Sequence, residues 1–542
     1  MDNNLKNELL AKPSEENKAK SNENSTHLSD SFSPTSQRQL TEEDIRLGGK
    51  PPLKTICILS SGPLLSQIAS ALYGVINTIW ISKSLGDSGL TAISTYQNFE
   101  TIGRSFAFFF QTSTSTKIAS LFGEGMNSEA SQVLTDLLRF SFICSIISPV
   151  IFIPISKVCV RWFGADDYIT ELGFKYIVPN LCLSIVSCFF YTCCGCLQAE
   201  GRSWLFSSVQ IVALCLDMLV FCPLFLLGLK TGIAGAALAN GVSELIPCLV
   251  ILILYYRCKF GIKPQFKQLV SKFSSHSLEA LKLGFPQLIF QLSNSVPGII
   301  VRKFFGLSCG DDQNEFNYVM AAFNTFNRLW IIEGAVPNAI NLGFIPAAAY
   351  AYGARRYIRI IWLFFHALWI SFIWCSLTMI CALAIPIPIA KIFSKTPEYL
   401  DWSKIILRKG NILTCICEVP GIITSLLQAM KKGTQASILS FFVQLFPVPV
   451  ASIVLYYTNK HNIGRLVYCY PFQALFGVLF AIPFLIVALR EIIINHIKKR
   501  TSSLYEDEEL ENISLSRNKG TKNIDSGGSL SSLFSNLISL SD

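Results

Sequence analysis

The stretch GCLQAEGRSW at residues 195–204 has a near copy, LLQAMKKG, at residues 426–433. Gln198 and Gln428 are 230 residues apart, a spacing too long for any solenoid period. The same offset lays Phe122-Gly123 on Tyr352-Gly353. Further upstream, Gly62-Pro63 pairs with Gly284-Phe285-Pro286, the shift shortened to about 223 by a longer connection at 307–316. One Leu-Gln-Ala match in a leucine-rich chain is unremarkable. Three landmarks in the same order describe a duplicated unit.

Composition says what the unit is made of. The 542 residues are 51% hydrophobic and 15% charged, with a mean hydropathy of +0.44, which excludes an ordinary water-facing surface. Apolar runs of about 20 residues, enough to cross hydrocarbon as a helix, are expected at 55–81, 96–120, 135–158, 172–197, 204–228, 233–256, 282–306, 316–346, 358–386, 405–429, 434–457 and 465–495. A β-barrel needs roughly ten-residue segments of alternating polarity. Runs such as LVILILYY, apolar on every side, read as helix. The fold class is therefore all-α integral membrane, twelve transmembrane helices in two pseudo-symmetric six-helix lobes.

Each landmark sits at the same point in its six-span unit: Gly-Pro in the first span, Gly after the second, Gln-Ala after the fourth. An even number of spans starts both units on the same side of the membrane. Parallel repeats are related by an axis along the membrane normal, and in secondary transporters the substrate site lies between such halves. The expected layout is an N-terminal lobe at 53–257, a linker at 258–281 and a C-terminal lobe at 282–495. Flanking them are a disordered tail at 1–50 and a mostly disordered one at 496–542.

The formal charge of +9 orients the chain before it suggests nucleic acid, and none is expected as a partner. Arg257, Lys259, Lys263, Lys267, Lys272 and Lys282 fall in the 257–282 connection, and Arg202, Arg355, Arg356, Arg359, Lys431 and Lys432 in other even-numbered connections. The positive-inside rule puts these and both termini in the cytoplasm, in a plasma, vacuolar or vesicular membrane. Residues 1–50 contain no apolar signal-peptide core. Most of the eighteen cysteines lie inside apolar spans, where Cys acts as a small hydrophobe. Cys193, Cys194 and Cys196 lack zinc spacing, and no metal or organic cofactor is expected; S-acylation is the other use open to them. In the C-tail, Leu530, Leu533, Phe534, Leu537 and Ile538 repeat at helical spacing.

Spans two and eight stand out for polarity. Span two carries Asn98, Glu100, Arg104, Gln111 and the run Thr112–Thr116; span eight carries Asn324, Asn327, Arg328, Glu333, Asn338 and Asn341. A charge at the bilayer centre costs about 2.5–3.5 kcal/mol even on the lenient insertion scale, so both spans should line a wet cleft. Glu100 and Arg104, spaced i, i+4, can pair on one helix face, whereas Arg328 and Glu333 need partners elsewhere. Asp217, within VALCLDMLVF, has no basic residue on its own helix. It can load and release a proton or help hold a monovalent cation, or simply bond to nearby backbone. Glu244 and Glu418 are further intramembrane acids, the latter beside Pro420 and Gly421. Pro63, Pro286, Pro297, Pro337, Pro346 and Pro420 should bend their spans.

The run CLQAEGRSWLFSSVQIVALCLDMLVFCPLFLLGLKTGIAGAALANGVSE resembles the fourth-to-sixth-span signature of multidrug and toxic compound extrusion (MATE) transporters, especially their DinF-like branch. YGVINTIWISKSLGDSGLTAIS resembles the end of that family's first span and IPAAAYAYGARRYIR the end of its eighth. The likeness covers roughly residues 53–495. It implies cation-driven export of amphipathic organic cations, with H+ or Na+ as coupling ion, by a monomer in contact with membrane lipid. It further implies a coupling site around Asp217 with Asn77 and with Asn240 or Glu244. The family's first-span Asp corresponds here to Asn77, the Asn preceding its fifth-span Asp to Ala213, and the seventh-span Glu of other branches falls near Asn294. Substrate contacts are expected from Glu100, Arg104, Gln111, Asn294, Asn324, Arg328, Glu333 and Glu418. Other readings are a lipid-linked oligosaccharide flippase, which needs a more basic cavity than Arg104 and Arg328 supply, and a non-transporting receptor or scaffold. An enzyme is not expected, because the five histidines are scattered and such chemistry needs clustered groups.

Overall fold

The computed structural model describes residues 42–162, 167–293, 296–310, 313–460 and 462–522, and they form helices joined by short turns. Seven helices are long and apolar enough to span: Pro52–Gly86, Asn127–Arg161, Ser203–Gly228, Ile233–Tyr256, Tyr357–Ala384, Gly433–Thr458 and Ile463–Ser502. Two bent pairs, Asp167–Cys182 with Ser184–Ala199 (44°) and Pro397–Gly410 with Thr414–Ala429 (48°), behave as broken spans. The other expected crossings are also helical over their described residues, 96–120, 282–293 with 296–306, and 316–346, and carry the more polar sequences of the bundle. Val150, Val158, Leu219 and Ile486 are each at least 60% exposed. At roughly 25 cal/mol per Å² of apolar area, a surface of such residues is stable only against hydrocarbon.

The duplication is written into the backbone. Helix Pro52–Glu124 ends at Gly125 (φ 82°) with Gly125 N–H donating to Phe122 O and Met126 N–H to Leu121 O. This is a Schellman cap, which needs a left-handed residue at its corner. The same bond pair recurs at Gly201 (to Gln198 and, from Arg202, Leu197), at Arg355 (to Tyr352 and, from Arg356, Ala351) and at Lys431 (to Gln428 and, from Lys432, Leu427). Gly125 with Arg355 and Gly201 with Lys431 are each 230 residues apart. The repeated Leu-Gln-Ala is thus the last turn of a helix whose Leu and Gln carbonyls close the cap.

At the end of the bundle that carries these turns, the halves are clasped. A Cβ added to Gly123 would lie 2.3 Å from Tyr350 O, and one on Gly353 2.2 Å from Ser120 O, so the two backbones cross where only hydrogen fits. Ala347, Ala348, Ala349 and Ala351, all fully buried, extend this small-residue contact. Lys117, fully buried, reaches Glu279 at 2.5 Å, and Lys431 pairs with Glu124. Glu279 lies outside the spans; burial pushes its carboxyl up, but the Lys117 hydrogen bond and charge, with Lys431 and His276, hold it below the ordinary range.

Both flanks of the bundle depart from expectation. Helix Glu42–Gly48 interrupts the tail expected to be disordered: Glu43, Asp44 and Leu47 are buried, and Tyr350 donates to Asp44 at 2.6 Å. Burial against both halves supplies the order that the polar sequence does not. Helix Cys469–Lys522 carries span twelve well beyond residue 495, through a segment rich in Glu, Leu and Lys that favours helix intrinsically. The leucine repeat at 530–538 lies outside the described residues. The linker is pinned to the N-terminal half: Ser274 N–H and Ser277 hydroxyl donate to Asp136, and Ile262 N–H donates to Glu200. Burial pushes the Glu200 carboxyl above its ordinary range, opposed by that N–H and by Arg202.

Gly86 (φ 68°) breaks helix Pro52–Glu124 where spans one and two meet, so the connection expected at 82–95 is one left-handed glycine rather than a loop. Among the six expected bends, Pro63, Pro286, Pro337 and Pro346 are inside helices, Pro420 occupies a first turn, where a missing N–H is harmless, and Pro297 adjoins residues outside the described ones. Cys193, Cys194 and Cys196 are fully buried in the core, which leaves no exposed thiol there for acylation.

Candidate functional site

Asp217 opens a π-helical turn, Asp217–Phe221, inside span five. One residue of extra backbone per turn displaces the helix locally, and such bulges recur at functional sites. The side chain is 1% exposed. Tyr73 donates to its Oδ2 at 2.5 Å, and the Cys222 thiol lies 3.4 Å from its Oδ1 and 3.5 Å from Asn77 Oδ1. Asn77 therefore joins the acid through Cys222, a weak donor, rather than directly.

The missing basic partner comes from span two. Arg104 acts electrostatically on Asp217, Glu244 and Glu100 together, and its guanidinium is 3.5 Å from Glu100. Tyr176 donates to the other Glu100 oxygen at 2.8 Å, and Ser187 donates to Glu244. Asn240 faces a small cavity bordered by Glu100, Arg104, Ser184 and Ser187, with a water-accessible volume of 20 Å³, room for about one water. Six of the expected residues, Asn77, Glu100, Arg104, Asp217, Asn240 and Glu244, thus belong to one network inside the N-terminal half. It contains three carboxylates and one guanidinium.

The remaining expected residues are dispersed. Gln111 is buried and donates to Gln198 at 3.0 Å, a joint between spans two and four rather than a cleft wall. Glu333 is 2% exposed, and neither of its oxygens has a hydrogen-bond partner among the described residues; its charged neighbour is Glu418. Glu418 stands at the bend of span ten, its Oε2 3.6 Å from where a Gly421 Cβ would be. Arg328 is exposed and lies over the Phe393 ring at 5.1 Å, while Asn324 is exposed and accepts from Arg302 at 3.4 Å. Neither reaches Glu333. Asn294 lies outside the described residues. Phe323 and Phe326 are buried in an aromatic cluster with Trp330 and Tyr470.

Sequence reading missed the donors Tyr73, Tyr176 and Ser187. Tyr73 carried a signal, since it precedes Asn77 by four and so shares its helix face. Tyr176 and Ser187 lie in an apolar run, and only folding brings them to the acids. The span-eleven π turn, Phe441–Leu445, likewise occurs without an acid in it.

Two matching helical halves, one holding an ionisable network at membrane depth, define the class: a polytopic membrane transporter built by duplication. A model of the MatE family matches the chain twice, at residues 64–224 and 317–458, more than half of its length in total. The chain belongs to that family. It is 20% identical over 393 residues to the multidrug export protein MepA of Staphylococcus haemolyticus (strain JCSC1435), covering 72% of this chain and 84% of that one. MepA of Staphylococcus aureus (strain MSSA476) is 19% identical over 411 residues, with 74% and 87% covered. Among solved structures, an outward-facing multidrug resistance MATE family transporter of the MOP superfamily superimposes with a TM-score of 0.73 at 18% identity, over 85% of this chain and all of that one. A MOP superfamily transporter from Pyrococcus furiosus, described as having a binding pocket of reverse polarity, gives 0.73 at 19% identity, over 86% and 100%. The fold they share with this chain is the two-lobed MATE arrangement.

Proposed function

We propose that the protein is a secondary active antiporter that exports organic cations in exchange for H+ or Na+ by alternating access. The observation that supports this reading is the charge balance of the Arg104 network. With Glu100, Asp217 and Glu244 all ionised, one guanidinium leaves two negative charges in excess inside a membrane protein, where isolated charge is expensive. A bound proton or monovalent cation offsets part of that excess. An organic cation entering from the cleft offsets it as well, so the two compete for one site. Competition of this kind is what exchange requires: each ligand favours the state in which the other has left.

The clasp at Gly123, Gly353, Lys117 and Lys431 supplies the second element, a closed face that has to open in the alternate state. By the positive-inside rule this is the cytoplasmic face. The relatives named as multidrug export proteins agree in direction. The protein acts as a monomer in a plasma, vacuolar or vesicular membrane.

In proteoliposomes with an imposed proton or sodium gradient, Asp217→Asn should reduce efflux of a lipophilic organic cation to the passive leak. Gradient-driven efflux at the unmodified rate would remove Asp217 from the mechanism.

A further inference from the structure

A second concentration of charge lies away from the Arg104 network, at the clasped end of the bundle. The turn between spans eight and nine and the end of span twelve border an open depression of 280 Å³. Arg355, Arg356, Arg359, His496, Lys499 and Arg500 line it with Tyr357 and Ile358, and among the described residues no carboxylate does. Arg356 and Arg359 donate to the backbone carbonyls of Leu47, Gly48 and Lys50, which fixes their positions but leaves their charges uncompensated. Lys499 donates to Arg355 O at 3.3 Å, another contact with a neutral group.

The turn itself carries a backbone oddity. Arg355 adopts φ 54° at the corner of its Schellman cap, the position filled by Gly125 in the other half. A left-handed conformation costs a non-glycine residue about 1–2 kcal/mol. Glycine would serve the turn better, and Arg355 places a guanidinium at this corner at that conformational cost.

The pocket also stands at the edge of the apolar surface. From Ile358 the exposed face of the same helix continues through Trp362 and Phe365, and from Ile497 the exposed face of span twelve runs back through Ile493 and Ile486. Exposed Trp one turn from basic side chains marks the level of lipid headgroups. We infer that this pocket binds the phosphate of an anionic lipid headgroup, held by Arg355 and Lys499 over the preset guanidinium pair of Arg356 and Arg359. Basic pockets between helices at a membrane face are recognition sites of this chemistry.

Arg355→Gly is the informative variant, because it removes the charge while relieving the left-handed residue, and so should fold as well as the unmodified chain. The full-length chain is reconstituted in phosphatidylcholine alone and in phosphatidylcholine containing one part in ten phosphatidic acid. Phosphatidic acid should raise the thermal midpoint of the unmodified chain. Arg355→Gly with Lys499→Gln should abolish that increment, keep the midpoint in pure phosphatidylcholine, and weaken phosphatidic acid retention by about thirtyfold, for two cations at roughly 1 kcal/mol each. Arg355→Gly alone should lose about half of the increment, and it stands as the test if the double variant does not fold. A double variant that keeps the full increment would overturn the proposal. So would inorganic phosphate reproducing the increment in pure phosphatidylcholine, since the site would then be one for a soluble anion.

Discussion

The two halves share a scaffold and differ in what they put on it. Both place a π turn in their fifth span, at Asp217–Phe221 and Phe441–Leu445, and both close their second and fourth spans with Schellman caps. The N-terminal half gathers three acids around Arg104 and gives them hydroxyl donors in Tyr73, Tyr176 and Ser187. In the C-terminal half, Glu333 has no donor among the described residues and its charged neighbour is another acid, Glu418. The turns differ in the opposite sense: glycines in the first half, Arg355 and Lys431 in the second. The halves therefore share the geometry that packing requires and differ in polar groups: hydroxyl donors and a guanidinium surround the buried acids of one half, and cations occupy the turns of the other.

The largest stability effect expected from breaking this arrangement is at the clasp between the halves. Glu279→Gln leaves the buried Lys117 ammonium without its counter-charge. Removing one partner of a fully buried pair costs about 3–5 kcal/mol; because Glu279 remains a third exposed, about 2–3 kcal/mol is expected, measured by thermal or denaturant unfolding in detergent. Replacing both, as Lys117→Met with Glu279→Leu, should recover most of the loss. The pair also fixes a pH dependence. The Glu279 carboxyl is held below its unfolded value of 4.5, so its contribution is complete above that value and disappears as pH falls through the lower folded one. Loss of stability instead on raising pH through neutrality would contradict the assignment.

A smaller effect should separate the turns of the two halves. Gly201→Ala forces a Cβ into a left-handed residue (φ 69°) and within 3.0 Å of the Arg46 side chain, with an expected loss of about 1–2 kcal/mol. Lys431→Gly should change stability by less, roughly 0.5 kcal/mol either way, because relief of the same strain offsets the greater unfolded freedom of glycine and the loss of the Glu124 pair. Equal losses at both positions would mean that the halves do not use their turns differently.

The smallest effect is expected at Glu333. If coupling belongs to the hydrogen-bonded acids, Glu333→Gln should leave gradient-driven efflux near that of the unmodified chain, in contrast to Asp217→Asn. Stability should hold or rise slightly, since a neutral amide replaces a buried carboxylate that has no donors. Efflux abolished by Glu333→Gln as fully as by Asp217→Asn would transfer the mechanism to both halves.

Residue order alone determined that this is a duplicated helical membrane protein. Hydrocarbon thickness dictates the length of each apolar run, and a duplication leaves matched turn residues at a constant offset whatever the packing. It also marked Asp217, Glu100 and Arg104 as unusual, because charge at membrane depth is rare for reasons of solvation. Tertiary structure decided which charges meet. Arg104 acts electrostatically on Asp217 and Glu244 from more than a hundred residues away in the chain, and Tyr73 bonds to Asp217 from the first span. Gln111 and Arg328, equally polar in sequence, are directed elsewhere. Periodicity assigns a residue to a helix, but the rotation and crossing of neighbouring helices choose its partner, and those depend on contacts such as Gly123 against Tyr350 that no local pattern encodes.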